Sequence, residues 1–108
     1  MMDYSKLSDF EINLRVAEIV VDYDCISRLP YTDMAVHWGD GANWHVFNPC
    51  NYPADAWPII TSNRIGIVPS TATDKWAAHH GDWDIAIADV NPLRAAMIIF
   101  LMMQDIRK

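Results

Sequence analysis

The sequence predicts an α+β fold in a single compact domain, residues 1–108, with a small antiparallel sheet packed by an N-terminal helix, a C-terminal helix and a short middle helix. Three observations predict it. An apolar stripe at helical spacing follows Ser8, two β-prone runs flank a turn near residue 40, and an almost wholly apolar segment follows Asn91. With 108 residues, 52% of them hydrophobic and 20% charged, the chain can bury a core of its own.

The first helix follows from the run LSDFEINLRVAEIV. Ser8 is placed as its N-cap, and Glu11 stands three residues later, which is the spacing of a capping box. The apolar positions at helical spacing are Ile12, Val16, Ile19 and Val20. The polar positions left for solvent are Asn13, Arg15 and Glu18.

A β-hairpin is predicted next, because MAVHW and NWHVF flank the tetrapeptide GDGA. In the following run Asn51 can cap a short helix that has Pro53 in its first turn. We expect Pro58 to kink or restart that helix near Trp57, and Asn63 to end it in a left-handed conformation. Three further short strands are predicted in RIGIV, KWAAHH and DIAIADV, the last two joined by a turn that contains Gly81.

The last helix is predicted from Leu93 to Ile106, with Asn91 as N-cap and Pro92 in its first position. A helix that is apolar nearly all round must be buried nearly all round. Two interpretations stay open: it is the central helix of the domain, or a partner or second subunit covers its outer face. The candidate residues for a partner or dimer contact are Met97, Ile99, Phe100 and Met103. A membrane span is not expected, because the uncharged stretch would rise only about 14 Å across a hydrocarbon layer of about 30 Å.

The formal net charge is −6, and the eight basic residues are scattered along the chain. This distribution argues against a surface that grips nucleic-acid phosphates. The chain has only two cysteines, Cys25 and Cys50, and its first residues do not resemble a secretory leader, so two free thiols in a reducing cytoplasm are expected. The separation of 25 positions does not match a cysteine metal-binding motif. His37 and His45 could face each other across the hairpin, but neither a physiological metal nor a cofactor is expected.

No nucleophile, phosphate-loop or dinucleotide motif occurs, so no catalytic residue is predicted, although HHGDWD at 79–84 holds a His–Asp combination. Most of the five tryptophans are expected in the core, and an exposed one or two would mark a protein interface. The candidate aromatic and turn surface consists of Trp38, Asp40, His80, Asp82 and Trp83.

Three stretches resemble the NinX-type small proteins, which are encoded in the nin region of lambdoid bacteriophages and prophages of enteric bacteria. They are MDYSKLSDFEIN, NYPADAWPII and NPLRAAMIIFLMMQ, about a third of the chain. The chain departs from that pattern at Tyr52, where the family's run reads Asn-Asn-Pro. The resemblance implies an accessory phage protein that acts inside the bacterial cytoplasm, and it brings no catalytic or binding residue with it.

The expected function is therefore a non-enzymatic interaction with a host or phage protein, with homodimer formation as one form of it. The alternative is a role linked to nucleic acid, either as a DNA mimic that inhibits a host DNA-binding protein or as a weak single-strand binder.

Overall fold

The computed structural model describes residues 3–21, 26, 35–39 and 43–107. Within them a 3-10 turn at Tyr4–Lys6 precedes three helices and five strands. The helices are α1 (Asp9–Val20), α2 (Pro53–Ser62) and α3 (Pro92–Arg107). The strands are β1 (Val36–Gly39), β2 (Trp44–Phe47), β3 (Gly66–Pro69), β4 (Trp76–His80) and β5 (Ile85–Asp89). The α+β prediction is confirmed, with the strands divided between two antiparallel sheets, β1-β2 and β3-β4-β5.

Helix α1 begins at the predicted capping box. The Glu11 backbone N–H donates to Ser8 Oγ at 3.1 Å, and the Ser8 N–H donates to Glu11 Oε1 at 3.2 Å. The prediction that Asn13 faces solvent was wrong, because its side chain is 5% exposed and hydrogen-bonds the turn that precedes α2. Ile19 and Val20 were assigned to the buried stripe, but both are exposed in the last turn of the helix.

The predicted hairpin is confirmed as β1 and β2, which pair antiparallel. Val36 and Phe47 are cross-strand partners and both are buried, so this end of the hairpin joins the core against α1. The register places His37 opposite Val46, and His45 opposite Trp38. Cross-strand partners share a face of the sheet and successive residues alternate, so His37 and His45 lie on opposite faces and cannot form the histidine pair considered from the sequence.

Helix α2 begins one residue later than predicted, because Tyr52 is its N-cap and the Asn51 side chain is engaged elsewhere. The helix continues through Pro58. Proline inside a helix lacks the N–H that would bond the carbonyl four residues earlier, and its ring crowds that carbonyl. Two hydroxyls of the last turn bond carbonyls next to the proline: Thr61 Oγ1 donates to Trp57 O at 3.0 Å, and Ser62 Oγ donates to Pro58 O at 2.7 Å.

The left-handed residue at the end of α2 is Arg64, with φ of 54°, and the prediction of Asn63 was wrong by one position. The Ile65 N–H donates to Ile60 O at 3.0 Å, and the Arg64 N–H donates to Thr61 O at 3.3 Å. These two bonds are the Schellman pattern, which usually places glycine where Arg64 stands. Ile60 and Ile65 are both buried, which supplies the apolar contact that accompanies this motif.

The three-stranded sheet lies on α3, and Ala78 at its centre is fully buried. Asn91 caps α3 as predicted, since its Oδ1 accepts from the backbone N–H groups of Leu93 at 3.0 Å and Arg94 at 3.3 Å. Strands β3 to β5 contact α3, as do α1 and α2, so α3 is the central helix. None of the helices in the described part of the chain is long and apolar enough to cross a membrane.

The assignment of α3 side chains to a partner contact is corrected by their burial. Met97 and Ile99 are 0% exposed, and Phe100 and Met103 are 3% exposed. The sheet and the two other helices cover these side chains, so they belong to the core of the chain itself. Of the two interpretations that the sequence left open, the structure therefore supports α3 as the central helix of the domain rather than a helix covered by a partner.

Candidate functional site: exposed tryptophans on a braced core

All five tryptophans lie at the surface, between 36% and 61% exposed. The expectation that most of them fill the core was wrong, because the buried residues are chiefly aliphatic and methionine side chains, of which α3 contributes the largest group. Trp57 on α2 is the most exposed of the five, and Trp83, between β4 and β5, is the next. Tryptophan brings a large apolar area and an indole N–H, so an exposed one is costly to leave in water and well suited to binding.

Trp38 lies in an apolar groove of about 470 Å³ between the end of α1, the hairpin and α2. The lining residues are Val20, Val21, Trp38, Phe47, Ala54, Asp55, Pro58 and Ile59. Asp55 is the charged member of this set, and its Oδ2 accepts from the Asn48 backbone N–H at 2.9 Å. The Trp38 indole meets the His45 ring, with centroids 5.5 Å apart and planes tilted by 47°.

The aromatic and turn residues predicted as one surface are separated in the structure. Trp38 belongs to the hairpin sheet, whereas Asp82 and Trp83 belong to the turn between β4 and β5. Asp40 lies outside the described residues. His80 lines a separate cavity of about 230 Å³ beside Met103 and Ile106 of α3.

His79, rather than His80, is the histidine that joins Trp83. Their rings stack at a centroid distance of 3.9 Å and an interplanar angle of 16°. Neighbouring strand residues point to opposite faces, so a choice between His79 and His80 required knowing which face α3 covers. Trp83 has φ of 67°, a left-handed conformation that is unusual for a bulky residue. The only sequence signal for its exposure is its position between two aspartates just after Gly81.

Asparagine side chains join three segments of the chain: α1, the turn before α2 and the start of α3. Asn13 Nδ2 donates to Asn48 Oδ1 at 2.8 Å, and Asn13 Oδ1 accepts from the Cys50 backbone N–H at 3.1 Å. Asn91 Nδ2 donates to Cys50 O at 2.6 Å and to Asn51 Oδ1 at 3.2 Å. The N-terminal helix, the turn before α2 and the start of α3 are therefore joined by side-chain amides.

Arg94 completes this junction and is only 13% exposed. Its guanidinium donates to Asp9 Oδ1 at 2.7 Å and to Asp89 Oδ2 at 3.1 Å. It also donates to the carbonyl oxygens of Ser5 at 3.0 Å and Leu7 at 2.7 Å. Because every one of these acceptors is a protein group, the guanidinium is committed to structure and is not presented to a ligand.

The Cys50 thiol is fully buried, and burial, with smaller effects of nearby charges, raises its pKa to about 12. Such a thiol is a poor nucleophile because the thiolate is the reactive form. Within the described part of the chain, no three His, Cys, Asp or Glu residues are grouped closely enough to hold a metal ion.

Comparison with known proteins supplies the family. No match was found among curated proteins or among solved structures. The family model described as "Bacteriophage P22, NinX" matches residues 3–104, nearly the whole chain. This range includes the three stretches that resembled this family, except for Met2 at the start of the first. The chain therefore belongs to the NinX family of bacteriophage P22.

Proposed function

We propose that this NinX-family chain is a non-enzymatic accessory protein that binds a host or phage protein in the bacterial cytoplasm. The observation that carries the proposal is the exposure of all five tryptophans on a small domain whose core is already filled. Aromatic side chains, tryptophan above all, dominate the binding energy of protein interfaces.

Trp38 and Trp57 mark the first contact surface, at the apolar groove. Trp38 lines the groove, and Trp57 lies on α2 next to Pro58 of the groove wall. The chain carries a net charge of −6, so the complementary partner presents an apolar side chain within a basic surface. Salt then weakens association by screening that attraction.

The buried residues of the junction support a binding role over a catalytic one. Arg94 and the asparagine amides are saturated by protein partners, and the Cys50 thiol is inert at neutral pH. Exposed indoles could also stack on nucleic-acid bases, but single-strand binders combine such stacking with a positive groove, and the charge here is opposite. Protein binding is therefore the better-supported reading of the surface.

The test identifies a partner by cross-linking in nuclease-treated extract of an enteric host, then measures binding between the two purified proteins. We expect Trp38→Ala and Trp57→Ala each to weaken the complex by at least tenfold. Ile106→Ala is the matched control, because Ile106 is an exposed apolar residue at the far end of α3.

Two results would contradict the proposal. One is a purified partner that binds both tryptophan variants as tightly as the parent protein. The other is the absence of any partner after nuclease treatment together with tryptophan quenching by single-stranded oligonucleotide, which would transfer the proposal to nucleic acid. Light scattering on the free chain identifies a second copy as the partner if the chain is dimeric and both variants are monomeric.

A further inference from the structure

The turn between β4 and β5, residues Gly81–Asp84, presents a tryptophan in a fixed orientation and is called the Trp83 turn below. Gly81 and Trp83 both have φ of 67°. Glycine adopts this conformation readily, but a residue with a Cβ does not, so surrounding contacts must hold Trp83 in place. The indole is nevertheless 53% exposed, which is the opposite of what packing into a core would produce.

His79 and Gly66 supply the support for this indole. The imidazole covers one face of Trp83 at 3.9 Å. On its other side His79 lies over its cross-strand partner Gly66, where an added Cβ would come within 2.2 Å of Nε2. Any side chain at position 66 would displace the imidazole. The sheet therefore provides a platform on which one face of the indole rests while the rest of the ring stays in water.

The residues on either side of Trp83 in the chain are both acidic. Asp82 and Asp84 flank Trp83 in the chain, both are exposed, and the Asp84 carboxylate lies against Gly81. Neither carboxylate takes part in a hydrogen bond or ion pair within the described residues. No lysine or arginine occurs between Lys75 and Arg94, and Arg94 is bound to Asp9 and Asp89. Arg107 of α3 lines the same cavity as Asp84, but the two form no ion pair within the described residues. An exposed aromatic ring with a carboxylate on each of its chain neighbours complements a cation with an extended, planar shape.

We infer that the Trp83 turn is a recognition site for an arginine side chain on a basic segment of a partner protein. The guanidinium stacks on the indole and donates hydrogen bonds to the carboxylates of Asp82 and Asp84. Arginine fits better than lysine, because its planar group can stack and bond at the same time. The inference rests on the proposed protein-binding function and names the chemistry of a second contact, separate from the groove at Trp38.

The probe is an acetylated and amidated Gly-Arg-Gly-Arg-Gly peptide, compared with matched peptides that carry lysine or neutral citrulline. Binding is followed by ¹H–¹⁵N correlation spectra of the whole chain, with the Trp83 indole signal assigned from its loss in Trp83→Phe. We expect the arginine peptide to shift this signal and the amides of residues 81–84 saturably. The lysine peptide should bind more weakly, and the citrulline peptide should cause no shift.

The substitutions separate local recognition from overall charge. Asp82→Asn and Asp84→Asn should each weaken binding of the arginine peptide at least threefold. Asp74→Asn removes the same charge from an exposed residue of the β3–β4 connection and should leave the affinity unchanged. The four remaining indole signals report whether each variant is folded.

Any of three results would overturn the inference: no saturable shift at Trp83, an equal effect of the citrulline peptide, or an equal loss of affinity in Asp74→Asn. This failure differs from failure of the proposed function. If only the arginine site is wrong, the peptide does not bind, whereas the purified partner still depends on Trp38 and Trp57.

Discussion

At the scale of single residues, Asn13 shows how one buried amide can position a turn. It is the buried polar residue of α1; its Nδ2 donates to Asn48 Oδ1, and its Oδ1 accepts from the Cys50 backbone N–H. The turn from Asn48 to Asn51 precedes α2, so this contact helps set where Trp57 and the groove wall stand. A polar residue in the interior is stable here because both ends of the amide are satisfied.

Replacing Asn13 should therefore be costly. We expect Asn13→Ala to lower the free energy of unfolding by about 2–3 kcal/mol, because it leaves the buried Cys50 N–H unsatisfied and removes a partner of Asn48. Urea unfolding measures the change. Glu18→Ala, an exposed position on the same helix, is the control. Equal stabilities of the two variants would mean that the amide contact contributes nothing.

At the scale of elements, α3 organises the molecule because α1, α2 and the three-stranded sheet all pack on it, whereas the hairpin packs on α1. Its N-terminus is fixed by Asn91 and its first turn by Arg94, which reaches back to the segment before α1. The middle of α3 carries the buried side chains that the sequence analysis had assigned to a partner contact, Met97, Ile99, Phe100 and Met103. The three-stranded sheet that carries the Trp83 turn packs on α3, and so does α2, which forms one wall of the groove.

The Arg94 junction should be sensitive to loss of its charge and of its shape. We expect Arg94→Gln to destabilise the chain by about 2–3 kcal/mol, less than the cost of breaking a fully buried ion pair because the Asp9 side chain is 44% exposed. Arg94→Lys should restore little, since one ammonium cannot replace a guanidinium that bonds four acceptors. Thermal unfolding is the measurement, with Arg107→Gln at the exposed end of α3 as control.

Two isoleucines of α3 provide a matched test of its central position. Ile99 is fully buried and Ile106 is 59% exposed. We expect Ile99→Ala to cost about 2–5 kcal/mol through lost burial and a residual cavity, and Ile106→Ala to change stability by no more than about 0.5 kcal/mol. Denaturant unfolding of both variants gives the comparison. A small effect at Ile99 would show that α3 is not the core helix.

At the scale of the whole molecule, two buried groups make stability depend on pH. The Cys50 thiol and the Tyr4 hydroxyl keep their protons to a higher pH in the folded chain than in the unfolded chain. Burial raises the pKa of the Cys50 thiol from 9.0 to about 12. Burial, together with the hydrogen bond to Asp105 and the charge of Asp105, raises the pKa of Tyr4 from 10.0 to about 12, against a smaller opposing effect of Arg15. The unfolded chain ionises these groups at lower pH than the folded chain does.

The stability that these two groups contribute should therefore be fully present below pH 9 and should be lost as the pH rises from 9 towards 12. In Tyr4→Phe the fall between pH 10 and 12 should be shallower, because the proton that the folded chain retained at Tyr4 is gone. Urea unfolding at a series of pH values measures this, with Tyr52→Phe as an exposed control. An unchanged slope in Tyr4→Phe would refute the assignment.

The sequence by itself determined the helices and strands whose signals are local. Ser8 with Glu11 marked the start of α1, Asn91 marked the start of α3, and the runs around residues 39–42 marked the hairpin. Hydrogen bonds within a few residues decide these features, so a short stretch of sequence contains the information. The apolar composition of α3 is also readable from the sequence. It predicted that the helix is buried, but it did not predict which elements cover it.

Only the tertiary structure decided which surfaces remain open. Tryptophan is a residue type expected in the core, but Trp38, Trp57 and Trp83 are exposed because other apolar side chains, including those of α3, occupy the interior. Asn13 looks like a solvent residue, but a turn 35 positions away satisfies its amide. Which of His79 and His80 meets Trp83 depends on the face of the sheet that α3 covers. Burial depends on contacts between segments that are distant in the sequence. Helical or strand spacing identifies the apolar face of an element, but it does not identify the segment that packs against that face.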